Sequence, residues 1–196
     1  MTAYAFAGLL LLGLPACTAE PGENASGDPS ATNAAAPAGS NAAAAAAPAA
    51  RSPLLLEGAG LGIPDASPPR IVSFNTPKAA VIEALTKALG RPPTQVGENS
   101  ECGGGGLEFA EWKDEITLYF QEGAFSGWDS KGELKTTDGI GLGSSRSDVE
   151  KLAGFEAEES TLGTEFRAGG LSGLLASKAP GAKVTALWGG TTCVFR

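Results

Sequence analysis

The sequence contains no histidine. This absence excludes Ser-His-Asp and Cys-His nucleophilic systems, in which the imidazole acts as the base. It also excludes zinc, copper and iron sites built on histidine. A Ser-Lys nucleophile would remain, but the chain has no S-x-x-K motif. We therefore expect no catalytic site of these classes, no metal site and no cofactor.

Positive charge is also scarce. The chain has 14 Lys and Arg residues against 22 Asp and Glu residues, and its formal net charge is −8 at pH 7. No run of Lys or Arg interrupts the acidic background. Proteins that bind nucleic acid or an anionic membrane surface concentrate positive charge. The sequence therefore predicts no nucleic-acid partner.

No apolar run is long enough for a transmembrane helix, which needs about 20 residues. The apolar stretch from Ala3 to Leu14 instead suits a signal-peptide core, although no Lys or Arg precedes it. It is followed by "LPAC", which resembles the bacterial lipobox. That resemblance implies a signal peptide over residues 1–16 and a diacylated Cys17 (a lipoprotein palmitate site) at the new N-terminus. The alternative is an ordinary secretory signal cleaved after Ala19.

Residues 18–52 lack Val, Ile, Leu, Met, Phe, Trp and Tyr, and Ala, Pro, Ser, Gly and Asn dominate. Nothing in this low-complexity segment offsets the entropy of ordering, so residues 17–52 are predicted to be a lipid-anchored, disordered tether. Thr18, rather than Asp, follows Cys17. By the lipoprotein sorting rule, this predicts anchoring at the periplasmic face of the outer membrane. Residues 53–196 are then expected to form one periplasmic domain.

Two cysteines remain after Cys17, and in an oxidising periplasm an even pair indicates a disulfide. Cys102 and Cys193 are too few to complete a thiolate metal site and too far apart for a C-x-x-C redox site. A bridge closing a loop of about 90 residues would cost the unfolded chain roughly 4 to 5 kcal/mol in the entropic model. The four glycines after Cys102 lack the Lys and Ser/Thr of a phosphate loop and are interpreted as a turn leading into the extended segment "LEFAEW".

The first half of the domain predicts a helix and a hairpin. "TPKAAVIEALTKALG" places Thr76 at the N-cap, Pro77 at the first helical position and Gly90 at the stop, which predicts a helix of about 13 residues. "EITLYF" and "FSGW", separated by "QEGA", predict an antiparallel hairpin.

The second half has a similar pattern. "GLGSSRSDVEKLAG" predicts a short helix capped by Ser144 or Ser145, with Ser145 and Asp148 at capping-box spacing. "KVTALWGGTTCVF" predicts a terminal hairpin that turns at Gly189-Gly190 and has Cys193 in its last strand. The predicted fold class is α+β, with short helices packed on antiparallel β-hairpins. A tandem helix–hairpin repeat would have subrepeats at residues 53–133 and 134–196.

The phrase "GLGSSRSDVEKLAG" resembles the helix-opening motif of the SmpA/OmlA lipoproteins and of the doubled module in β-lactamase inhibitor protein. In the first half, "GLGI" is separated from its helix by a Pro-rich insert, which departs from that pattern. The ending "LWGGTTCVF" is similar to that of uncharacterised lipoproteins of Gram-negative bacteria. This resemblance implies an envelope location and supplies no activity.

Two function classes follow. The first is a lipid-anchored, non-enzymatic envelope protein that binds an envelope protein partner or has a structural or assembly role. Large aromatic residues dominate binding energy, so the candidate contact residues are Trp112, Tyr119, Trp128 and Trp188, which would otherwise fill the core. The alternative is a carboxylate-dependent cell-wall hydrolase, for which Glu108, Glu111, Asp114 and Glu115 are the candidates.

Overall fold

The computed structural model describes residues 52–102 and 106–193. The predicted signal peptide, Cys17 and nearly all of the tether lie outside these residues. Within them there are two helices, α1 (Lys78–Leu89) and α2 (Arg146–Val149), and twelve strands. The strands are β1 (Leu55–Glu57), β2 (Gly60–Ile63), β3 (Arg70–Ser73), β4 (Gln95–Asn99), β5 (Leu107–Trp112), β6 (Ile116–Gln121), β7 (Ala124–Ser130), β8 (Lys135–Thr136), β9 (Glu156–Ser160), β10 (Gly163–Ala168), β11 (Leu171–Leu175) and β12 (Val184–Gly190).

The strands form a small sheet and a large sheet. The small sheet has the order β3-β2-β1-β8, with β8 parallel to β1. The large sheet has the order β4-β5-β6-β7-β12-β11-β10-β9, and all its neighbouring strands are antiparallel. It therefore consists of two four-stranded meanders that meet where β7 pairs with β12.

The predicted α+β fold class is wrong, because the described residues are mostly β and their helices are only 12 and 4 residues long. The predicted helix–hairpin repeat is also wrong, since each helix precedes a four-stranded meander rather than a hairpin. Several strands carry little apolar alternation, and β9 is exposed along its whole length. Their sequences therefore lack the period-2 pattern by which a strand is recognised. The subrepeat boundaries stay a prediction.

Helix α1 forms close to the predicted residues. Val81, Ala84 and Leu85 are buried on one face, and the helix ends at Gly90 in the left-handed conformation (φ 68°), as predicted. The N-cap is Pro77 and not Thr76. The Thr76 hydroxyl instead donates a 2.7 Å hydrogen bond to the Ser73 carbonyl, so the side chain binds the preceding turn.

Helix α2 confirms the second capping prediction. Ser145 is the N-cap, and its Oγ accepts a hydrogen bond from the Asp148 amide at 3.2 Å. The Ser145 hydroxyl donates to the Asp148 carboxylate at 2.6 Å, so the two side chains hold one another in place.

The predicted central hairpin is confirmed. β6 and β7 pair antiparallel, and Glu122 and Gly123 at the turn both have positive φ (52° and 75°). Two central residues of this kind match the right-handed twist of the flanking strands. The same turn holds the start of α1, because the Lys78 amide donates to the Gly123 carbonyl at 2.9 Å.

The predicted terminal hairpin is wrong. β12 continues through Gly189 and Gly190, pairs with β11 on one side and with β7 on the other, and leaves Cys193 outside the strand. A Cβ atom at Gly189 would lie 2.8 Å from the Trp128 ring. The first of these glycines therefore permits close packing rather than a turn.

One hydrophobic core joins α1 to the inner faces of both sheets. The small sheet contributes a row of apolar side chains to this core, formed by Leu56, Leu61 and Val72. These residues are register partners across β1, β2 and β3. Trp128 crosses from the large sheet, and its indole N–H donates to the Glu57 carbonyl at 3.1 Å. Across the described segments, no helix is both long and apolar enough to cross a membrane.

Candidate functional site

The four aromatic candidates do not form an exposed surface, which corrects the prediction of an aromatic contact site. Trp112 and Trp128 are 0% exposed, Trp188 is 7% exposed and Tyr119 is 9% exposed. The Trp112 indole donates to the Arg91 carbonyl at 3.0 Å, inside the molecule. These rings bury apolar area that a small β protein needs for stability, and the polar groups of Trp112, Trp128 and Tyr119 are paired internally.

Tyr119 takes part in a polar cluster on the outer face of the large sheet. Its hydroxyl donates a 2.7 Å hydrogen bond to Asp129, which also forms an ion pair with Lys131 at 3.1 Å. Burial raises the pKa of the Tyr119 phenol well above its usual value, and the charge and hydrogen bond of Asp129 and then the charge of Glu111 raise it further. Tyr119 is therefore a neutral hydrogen-bond donor at physiological pH.

The predicted disulfide between Cys102 and Cys193 is confirmed. Their Cα atoms are 5.1 Å apart, within the usual range of about 4.4–6.8 Å. The bridge packs against Leu107, Phe109 and Tyr119 in a second, smaller apolar cluster. It joins the segment after β4 to the segment after β12 and covers part of the outer face of the large sheet. The predicted extended segment after the glycines is β5, while residues 103–105 lie outside the described part.

The four candidate carboxylates do not converge. Glu108 and Glu111 are three residues apart on β5 and therefore point to opposite faces of the sheet. Glu108 pairs with Lys78 of α1, and Glu115 pairs with Arg91 at 3.0 Å. Asp114 is an exposed turn residue with φ 64°. These contacts hold Glu108 and Glu115 at separate structural positions.

An open groove lies between α1 and residues 63–70, and we call it the α1 groove. Its volume is about 570 Å³, within the range of roughly 300–1,000 Å³ that is usual for small-molecule sites. The floor is aliphatic, the wall is proline-rich and three charged side chains also line it. The floor residues are Ile63, Ala84 and Ala88, the wall residues are Pro53, Pro68 and Pro69, and the charged residues are Asp65, Arg70 and Lys87.

The groove forms because α1 has large apolar side chains that fill the core and only alanines on the stripe that lines the groove. Val81 and Leu85 are fully buried and fill the core. Ala84 and Ala88 are one helical turn apart, so they lie on the same stripe of α1, and their methyl groups leave space there. The connection from β2 to β3 has three prolines in residues 64–69, and two of them, Pro68 and Pro69, line the opposite wall.

The charged side chains of the α1 groove have no partner among the residues that the structure describes. Within residues 52–102 and 106–193, the side chains of Arg70, Lys87 and Asp65 form no ion pair or hydrogen bond. Arg70 and Lys87 outnumber the single carboxylate, which makes the groove locally positive on a chain of net charge −8. Hydrated side chains in this arrangement are available to bind an anion.

A second groove of about 510 Å³ lies beside β12, but its charged side chains are paired. Asp129 and Lys131 line it together with Trp188, but these two charges pair with one another at 3.1 Å. No group of three or more His, Cys, Asp or Glu side chains in the described ranges could hold a metal ion. The α1 groove is therefore the stronger candidate for a binding site.

Sequence reasoning did not identify Arg70 or Lys87 as site residues. The "SPPR" sequence that ends at Arg70 indicates only a Pro-rich insert before the helix. The available signal was the combination of Ala84 and Ala88 at helical spacing with Lys87 beside them, which predicts a helix stripe too small to fill a core. Bringing that stripe next to Arg70 requires knowledge of how α1 packs on the small sheet.

Comparison with known proteins assigns no family. No protein-family model and no curated protein matches the chain. Among solved structures, the chain is similar to the uncharacterized protein YfeY from Escherichia coli, at 16% identity and a TM-score of 0.44. The match covers 61% of this chain and 93% of that chain. This likeness is too weak to support an argument about fold or function, and membership of a lipoprotein family stays a prediction.

Proposed function

We propose that the protein is a lipid-anchored envelope protein with a non-catalytic binding role, and that the α1 groove is its binding site. The observation that carries the proposal is the pairing of an aliphatic floor with two cations, Arg70 and Lys87, that have no partner among the described residues. Pockets of this composition bind through apolar contact and use a few polar groups for orientation.

The lipid anchor rests on the sequence. The apolar stretch that ends in "LPAC" provides both the signal core and the acylation site at Cys17. The Cys102–Cys193 bridge is compatible with this address, since structural disulfides persist in oxidising compartments such as the periplasm. Thr18 after the acylated cysteine favours the outer membrane.

A binding role suits the groove better than hydrolysis does. A glycosidase of the usual kind needs two carboxylates on either side of the scissile bond. Among the described lining residues of the α1 groove, Asp65 is the one carboxylate. Near the central hairpin, Glu108 and Glu115 pair with separate cations. The cell-wall hydrolase therefore stays an untested prediction from the sequence.

The anchor is tested by replacing Cys17 with Ser in the full chain. We expect the wild-type protein in the membrane fraction with acylated Cys17, and the variant either soluble in the periplasm or retained as an uncleaved precursor. A Cys102→Ser/Cys193→Ser variant controls for effects of cysteine removal and should remain acylated. Normal processing and membrane attachment of the Cys17 variant would overturn the lipobox assignment.

The groove is tested by photo-cross-linking in intact cells. A photoreactive amino acid at Ala88, which lines the groove, should capture the bound component. The same amino acid at Ala79, on the exposed surface of α1, is the matched control. Mass spectrometry then identifies the adduct as protein or small molecule. Equal capture at both positions, or none at Ala88, would contradict the assignment of the groove.

A further inference from the structure

We infer that the α1 groove binds a monoacyl lipid with one anionic head group, a carboxylate or a phosphate. This inference rests on the proposed function and specifies its ligand. The inferred ligand uses two features of the groove at once, its apolar lining and its net positive charge. The floor and wall offer aliphatic contact, and the charged residues offer a net positive site.

The apolar lining fits a flexible aliphatic chain. Ile63, Ala84 and Ala88 present methyl and methylene groups, and Pro68 and Pro69 add ring methylenes. The described lining includes no Phe, Trp or Tyr, so it has no ring on which an aromatic ligand could stack. An acyl chain gains free energy with each CH₂ group that it buries against such a lining.

The same lining disfavours a peptide. A peptide that entered the groove would bury backbone N–H and C=O groups, each of which needs a hydrogen-bond partner. The polar side chains along the groove are Asp65, Ser67, Arg70 and Lys87, and they are too few to satisfy several peptide units. An acyl chain has no such groups, so its burial leaves nothing unpaired.

The anionic head group is specified by the two cations. The guanidinium of Arg70 offers a planar set of donors that fits carboxylate and phosphate oxygens, while the Lys87 ammonium adds a second charge. Lys87 is in the last turn of α1, where the helix presents carbonyl groups rather than N–H groups. The helix end cannot itself bind an anion, so recognition depends on these two side chains.

The test uses the acylated full-length protein in nanodiscs of zwitterionic phosphatidylcholine and a photoactivatable fatty acid as the probe. We expect the probe to label peptides from residues 63–70 or 84–88, as mapped by mass spectrometry. Unlabelled fatty acid should compete, whereas inorganic phosphate should not, which separates a lipid ligand from a free anion. The methyl ester of the probe should label the same peptides at least fivefold less.

Matched variants test whether labelling requires the two cations and the open space of the groove. The double variant Arg70→Gln/Lys87→Gln should reduce labelling at least fivefold. The control double variant Lys113→Gln/Lys183→Gln removes equal charge outside the groove and should change labelling less than twofold. Ala88→Leu fills the groove and should also reduce labelling, and Ala79→Leu on the exposed side of α1 should not. Circular dichroism checks that every variant is folded.

Three outcomes would overturn the inference: no labelling of these peptides by the probe, equal labelling by acid and ester, or labelling that persists in the Arg70→Gln/Lys87→Gln variant. Cross-links from Ala88 in cells to another component would still support the proposed binding function. Absence of both probe labelling and cross-links from Ala88 would reject the inference and the groove assignment together. The two failures are therefore distinguishable.

Discussion

Gly189 of β12 lies directly against the indole ring of Trp128, so that a Cβ atom at Gly189 would approach three ring atoms at 2.8–2.9 Å. Trp128 cannot move aside freely, because it is fully buried and its N–H binds the Glu57 carbonyl. This contact is at the join between the two meanders of the large sheet, where Trp128 and Gly189 are register partners.

We therefore expect Gly189→Ala to destabilise the protein by roughly 1–3 kcal/mol, the usual cost of overpacking a core. Gly181 provides the control, since no atom lies within 4 Å of a Cβ atom placed there. Gly181→Ala should change the free energy of unfolding by less than about 0.5 kcal/mol. Urea denaturation followed by circular dichroism measures both. Equal stability of the two variants would contradict the packing role of Gly189.

The features that sequence reasoning predicted correctly depend on local chemistry. The central hairpin follows from alternation on both sides of Glu122-Gly123, and the end of α1 follows from Gly90. The Ser145 cap likewise needs only a side chain and an amide three residues later. The disulfide followed from compartment and cysteine count rather than from local pattern.

The errors arise where a distant contact determines the local structure. Gly189-Gly190 has the composition of a hairpin turn, but Gly189 packs against the Trp128 ring and both glycines lie within β12, paired with β7. The α1 groove requires Arg70 from the small sheet to lie near Lys87 from the helix, and no spacing in the sequence encodes that proximity. The aromatic residues illustrate the same limit, since composition alone does not separate a core ring from a contact ring.

Loss of the Cys102–Cys193 bridge should destabilise the protein. Replacing both cysteines with Ser should cost roughly 2–5 kcal/mol, because the bridge closes a loop of 91 residues in the unfolded chain. The melting temperature should fall by roughly 5–20 °C. A reductant should lower the melting temperature of the wild type and leave the double variant unchanged. A wild-type melting temperature insensitive to reduction would count against a stabilising role.

The Asp148 carboxyl should titrate abnormally low. Its hydrogen bond from Lys151, followed by that from Ser145, holds the pKa of Asp148 at about 2, below the usual value of about 3.9. A depressed pKa means that these contacts contribute stability above about pH 4, and that the contribution is lost as the pH falls towards 2. Carbon-13 NMR of the carboxyl group measures the midpoint.

Lys151→Gln should raise the Asp148 midpoint, because it removes the largest cause of the shift. Ser145→Ala should raise it by a smaller amount and also weaken the cap of α2. Lys113→Gln, which removes a lysine charge elsewhere, is the control and should leave the midpoint unchanged. A wild-type midpoint near 3.9 would show that the carboxylate is not held by these partners.

The Tyr119 phenol should resist ionisation. Its pKa is raised by burial first, and then by the charge and the hydrogen bond of Asp129. The chain has two tyrosines, and Tyr4 lies in the predicted signal peptide, so Tyr119 is the only tyrosine of the processed protein and tyrosinate absorbance reports it alone. We expect a midpoint well above the usual value of about 10. A raised pKa means that the contribution of neutral Tyr119 to stability is complete below about pH 10 and is lost at higher pH.

Asp129→Asn should lower the Tyr119 midpoint by removing the charge, while Asp138→Asn at an exposed turn should leave it unchanged. A midpoint near 10 while the protein remains folded would contradict the buried Tyr119–Asp129 pair.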